Sequence, residues 1–160
     1  MNNQGINIII ADGDCELVAK QLLANTSRVD IKIVDKVTDG ESAIESIRKY
    51  QPDVVLLDIC LPVMDGLGVM ETIRDSGNCP ETLFVVITSV GSQRLIRCAF
   101  DLGASFYVLK PYNSDQLVAR LKQMHERKQE ILAEMSADLI CIPNKSMTDN
   151  VANNIESDVT

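Results

Sequence analysis

Two short runs, Val54-Val55-Leu56-Leu57 and Leu83-Phe84-Val85-Val86-Ile87, contain no polar residue that could turn toward water. A strand with one wet face alternates apolar and polar side chains. An unbroken apolar strand must be covered on both faces, which happens when helices lie on either side of a parallel sheet. The rest of the chain supplies those helices. Ile6 to Ala11 is a β-branched run, followed by polar Asp12-Gly13-Asp14 and a helical pattern through Leu17, Val18 and Leu22. Ile31 to Val37 alternates apolar and charged residues, the pattern of a half-exposed edge strand. Helical spacing returns at Ala43, Ile44 and Ile47, where Thr38 with Glu41 three residues on predicts a capping box, and Pro52 ends the segment. A third helix is marked by Leu67, Met70 and Ile73, a fourth by Leu95 to Leu102, and a fifth strand by Phe106 to Leu109. Strand and helix alternate five times, so the predicted fold is α/β: a doubly wound, five-stranded parallel sheet.

The last helix is expected from Ser114 to Met135, longer than a small sheet needs for cover, with Leu117, Leu121, Met124, Ile131 or Leu132, and Met135 on one stripe that Lys128 interrupts. Beyond it the sequence turns polar. The expected organisation is a domain over residues 1–127 and a helix extension with a flexible linker over 128–160.

Composition narrows the partners. A net charge of −8 argues against wrapping a nucleic-acid backbone, which calls for clustered Lys and Arg. The five cysteines (Cys15, Cys60, Cys79, Cys98 and Cys141) are scattered and never spaced as CxxC, so they predict neither a disulfide framework nor a zinc site. No run is long enough to span a bilayer, and Met1 to Gly5 lacks the basic flank and apolar stretch of a signal peptide. The expected location is the cytoplasm, with no membrane partner.

In an open parallel sheet ligands bind beyond the carboxyl ends of the strands. The first strand ends in Asp12, with Asp14 two residues on. The third ends in Asp58, the fourth in Thr88 and Ser89, and the fifth in Lys110-Pro111. Carboxylates gathered on one rim repel unless a cation sits among them, and hard oxygen donors suit Mg²⁺. Lys110 can pair with Asp58 at rest or with an oxyanion there. The set suits phosphoryl transfer to a carboxylate nucleophile.

These residues carry a resemblance. Asp58 in Leu-Leu-Asp-Ile-Cys-Leu-Pro-Val-Met-Asp-Gly, Thr88 in Val-Val-Ile-Thr-Ser and Lys110 in Tyr-Val-Leu-Lys-Pro resemble the signature of response-regulator receiver domains, including the gaps of 30 and 22 residues between them. The resemblance covers residues 6 to about 125. Within the family, Ile-Ala-Asp-Gly-Asp-Cys-Glu-Leu-Val and Asp-Leu-Gly-Ala-Ser-Phe-Tyr-Val-Leu-Lys-Pro are similar to receivers of sporulation transcription factors of endospore-forming bacteria. The resemblance implies a phosphoacceptor Asp58 and a Mg²⁺ site made by Asp12, Asp58 and the backbone carbonyl of Cys60. It implies switch roles for Thr88 and Tyr107, an anion-pairing Lys110 and a cis Lys110–Pro111 bond. The implied partners are a sensor histidine kinase or histidine phosphotransferase, a second copy in a phosphorylation-dependent homodimer, and DNA through an effector domain beyond this chain.

One position departs from the family pattern. Two adjacent acidic residues are usual at the end of the first strand, and here the second is Gly13. Asp14 can swing in as the missing ligand, or water can fill the place, and weaker Mg²⁺ binding is expected either way. Two other readings fit part of the pattern. One is a pseudo-receiver that no longer takes phosphate. The other is a haloacid-dehalogenase-type phosphatase with Asp12 as nucleophile and Asp14 as acid, which leaves Leu-Pro-Val-Met-Asp-Gly without a role.

Overall fold

The structure is a computed structural model that describes residues 5–24 and 31–140, with side chains as far as residue 137. Among the described residues ten elements alternate: β1 (Ile6–Ala11), α1 (Cys15–Ala24), β2 (Ile31–Val37), α2 (Gly40–Tyr50), β3 (Val54–Leu57), α3 (Gly66–Ser76), β4 (Leu83–Thr88), α4 (Gln93–Asp101), β5 (Ala104–Leu109) and α5 (Ser114–Ile140). The strands form one parallel sheet in the order β2-β1-β3-β4-β5. The expected α/β fold is therefore observed, with the alternating strand β2 at an edge and the two unbroken apolar strands inside.

Side-chain alternation along the strands separates two cores. Ile9, Ala11, Val55, Leu57, Phe84 and Val86 meet α2 and α3 on one face. Ile8, Ile10, Val54, Leu56, Val85 and Ile87 meet α1 and α5 on the other. On this second face α5 buries Leu117, Val118 and Leu121. The chain divides into two compact units between His125 and Glu126, so the remainder of α5 belongs to the second. The helix continues to Ile140, five residues past the expected end at Met135, while Cys141 and the polar tail from 141 on lie outside the described residues.

One cap differs from expectation. Asp39, not Thr38, caps α2: its carboxylate accepts from the Ser42 backbone N–H at 2.8 Å and the Ser42 hydroxyl at 2.7 Å. Thr38 lies one residue too early because α2 begins at Gly40. That start is set by close packing, since a β-carbon on Gly40 would stand 2.0 Å from the Met64 carbonyl oxygen.

Candidate functional site

The sheet order reverses between β1 and β3, and the carboxyl ends of these two strands carry Asp12 and Asp58. Both are nearly withdrawn from water, at 3% and 8% exposure. Buried carboxylates require partners. The Asp12 Oδ1 accepts from the Asp14 N–H at 2.8 Å, and the Asp58 Oδ1 accepts from the Cys60 N–H at 2.9 Å. The two remaining oxygens converge on one cation. Lys110 Nζ lies 2.6 Å from Asp12 Oδ2 and 3.2 Å from Asp58 Oδ2. Lysine reaches this point because its own strand end is aligned with the rim, its backbone N–H donating to the Thr88 carbonyl at 2.9 Å. Burial alone would lower the Lys110 pKa, but the hydrogen bond and charge of Asp12, then the charge of Asp58, outweigh it and raise the group above its ordinary value.

The loop after Asp58 is fixed by backbone contacts. Gly66 N–H donates to the Ile59 carbonyl at 2.9 Å, and a β-carbon on Gly66 would meet the Asp58 carbonyl oxygen at 2.4 Å. The Asp-Gly pair that follows Met64 in the sequence is thus explained twice: Asp65 caps α3 by accepting from the Gly68 N–H at 2.8 Å, and Gly66 lets the helix start against the site. Val63 in this loop has φ +70°, a conformation a β-branched residue rarely adopts. The Lys110–Pro111 bond is cis, as expected.

Thr88, at the end of β4, is fully buried, and its hydroxyl accepts from the Val90 N–H at 3.4 Å. Tyr107 on β5 is half-buried, and its hydroxyl donates to the Val90 carbonyl. Burial, with smaller contributions from Cys60 and Asp58, pushes the Tyr107 phenol up. This shared use of the Val90 peptide has no counterpart in the sequence reading, because it depends on the path of the loop after β4. Helix α4, which follows that loop, has Ala99 as its one fully buried residue, and its N-cap Ser92 makes no side-chain capping bond.

Asp14 and Cys60 are exposed on the same rim. A groove of about 320 Å³ opens there, walled by Leu17, Val18, Pro111 and Tyr112 with Asp14 and Lys110 at its edge. Among the described residues, no three His, Cys, Asp or Glu side chains gather as a metal cluster. What the rim does offer, two buried carboxylates, is hard-oxygen chemistry that fits a Mg²⁺ retaining several of its waters.

Comparison with known proteins agrees with this geometry. The family model described as the response regulator receiver domain matches residues 8–122. The signal receiver domain of the response regulator NarL from Mycobacterium tuberculosis is similar, with 24% identity and a TM-score of 0.69 over 77% of this chain and 98% of that one. A DNA-binding response regulator of the LuxR family from Staphylococcus aureus has 26% identity and a TM-score of 0.67, covering 75% and 98%. The BeF3-activated DrrB receiver domain has 26% identity and a TM-score of 0.64, covering 77% and 99%. The parallel sheet, the acidic rim and the extent of the family match lead to one conclusion: the chain belongs to the response regulator receiver domain family.

Proposed function

We propose that Asp58 is the phosphoacceptor of this receiver and that a phosphohistidine on a sensor histidine kinase or a histidine phosphotransferase is its donor. Receiver domains are phosphoacceptor signalling domains rather than enzymes in the ordinary sense, which sets aside the phosphatase reading of Asp12. The observation that carries the proposal is the Lys110 ammonium held between the buried carboxylates of Asp12 and Asp58. A carboxylate oxygen of Asp58 attacks phosphorus, the P–O bond forms as the P–N bond breaks, and the donor leaves as neutral imidazole when its other nitrogen is protonated. Lys110 is then placed to pair with a phosphoryl oxygen in place of the carboxylate it has lost. Asp12, Asp58 and the Cys60 carbonyl would hold Mg²⁺, with Asp14 or water at the place left by Gly13. When bound, the ion neutralises charge on the transferring oxygens.

The switch follows from the Val90 peptide. When the Thr88 hydroxyl turns to a phosphoryl oxygen it releases the Val90 N–H, and the carbonyl of that same residue anchors Tyr107. Movement of Thr88 therefore reaches Tyr107 through one residue, at the entrance to a lightly packed α4. The readout we propose is a rearranged α4–β5–α5 face that favours a homodimer, a population shift driven by new charge contacts. Residues 128–160 would link the receiver to a DNA-binding effector domain, as the name of the Staphylococcus aureus relative suggests. The sequence stretches similar to sporulation regulators support control of sporulation, and a strain lacking the gene that still sporulates normally would remove that assignment.

Incubation with acetyl phosphate and Mg²⁺, followed by mass spectrometry, tests the chemistry. The expected outcome is one phosphoryl adduct on Asp58, absent from Asp58→Asn. An adduct on Asp12 with sustained turnover would overturn the proposal, and no adduct at saturating Mg²⁺ would favour the pseudo-receiver.

A further inference from the structure

The second compact unit begins at Glu126, and α5 runs through it to Ile140. Within the unit the described side chains, residues 126–137, are exposed or half-buried, and none is fully buried. A helix of about this length is marginal in water by itself, because most helical stability in proteins comes from packing an apolar face. An apolar face is present. Ile131 and Met135 are 48% and 59% exposed, and Leu132 lies beside them. At 100° per residue, Ile131, Met135 and Lys128 fall within about 60° of arc, the width of a two-helix seam.

The charges flanking this seam select its partner. Arg127 and Glu134 lie on the same border of the stripe, one near each end. Two copies in parallel would oppose Arg127 to neutral or like neighbours. Two copies run antiparallel and centred between Glu130 and Ile131 set Arg127 of each beside Glu134 of the other, closing two ion pairs about a central Ile131 pair, with Lys128 of each copy layered against Ile131 of the other and Met135 at the outer ends. The Lys128 stem can lie along the seam, and a lysine at such a position limits the number of strands. We propose that residues 126–137 are a self-pairing surface whose occupant is the same segment of a second copy, antiparallel, and that it associates without phosphorylation.

Sedimentation equilibrium on the full chain with no phosphodonor present tests this, and the same measurement on Asp58→Asn separates it from any phosphorylation-driven dimer. The expected result is a reversible dimer in both. Ile131→Asp with Met135→Asp raises the dissociation constant at least about tenfold. Arg127→Glu weakens the dimer and Arg127→Glu with Glu134→Arg restores it, a rescue that an antiparallel register predicts. All substituted positions are solvent-accessible, so thermal unfolding of the receiver is expected to stay unchanged, while the helical circular dichroism signal of the extension falls as the dimer dissociates. A monomer at all concentrations, or a dimer insensitive to the apolar pair, overturns the surface. Failure of the charge exchange to rescue overturns the antiparallel register. A monomer whose thermal unfolding changes with Ile131→Asp would instead mean that the seam is covered within one chain, and would also overturn the proposal.

Discussion

Lys110 is bonded more closely to Asp12 than to Asp58, 2.6 against 3.2 Å, although sequence spacing drew attention to its relation with Asp58. The rim residues were legible because each stands at a strand end, and strand ends can be read from apolar runs. Which of two neighbouring oxygens takes the shorter bond depends on strand register and on a lysine rotamer, neither of which leaves a trace in the sequence. The same holds for Val90, whose backbone rather than side chain serves the site. Gly13 was legible as a departure, and the structure adds that a β-carbon there would have no neighbour within 4 Å. Gly13→Asp therefore has room for a third carboxylate, and calorimetric titration is expected to show several-fold tighter Mg²⁺ binding, since an added negative charge near a divalent ion is strongly favourable. Unchanged affinity would show that the glycine does not limit the metal site.

At the scale of elements, unbroken apolar runs, one alternating strand and helical spacing located the ten described segments, while the starts of two helices were set by contacts between distant parts of the chain. Helix α2 starts where Gly40 can approach Met64, and α3 starts where Gly66 can approach Asp58. A capping box at Thr38 was a reasonable local pattern, but Asp39 sits at the residue where the packing lets the helix begin. The register shift between Ile8 and Ile9 leaves Val34 of β2 unpaired, and its trace in the sequence is the break in alternation at Ile33-Val34 and Asp35-Lys36, while the shift between Phe84 and Val85 was not read from the apolar pattern. Gly66→Ala places a methyl group against backbone atoms of Asp58 and Ile59, which cannot move aside as a flexible side chain would. Urea denaturation is expected to show a loss of about 1–3 kcal/mol. A change below about 0.5 kcal/mol would mean that the loop relaxes freely.

For the whole molecule, the raised groups all act in one direction. Lys110 is held above the ordinary lysine value of 10.5, so its contribution to stability is complete below that pH and is lost as pH rises through the folded value. Tyr107 and Tyr112 are pushed up chiefly by burial, so their phenols ionise first in the unfolded chain and add to the same loss. Thermal unfolding measured across alkaline pH is expected to show a transition temperature falling above about pH 10, and a flat profile from there to about pH 11.5 would contradict these assignments.

The sheet order has a further consequence, for the rates at which the strands open to solvent. The strands that carry Asp12 and Asp58 are bonded on both sides, whereas the one that carries Lys110 has a neighbour on one side only. Amide hydrogens of β1 and β3 are therefore expected to exchange with deuterium near the slowest rates in the protein, and those of β5 much sooner, with equal protection of the three strands counting against this reading. The anions of the site are anchored in its most persistent structure, while the cation is carried on a margin that can open without unfolding the rest.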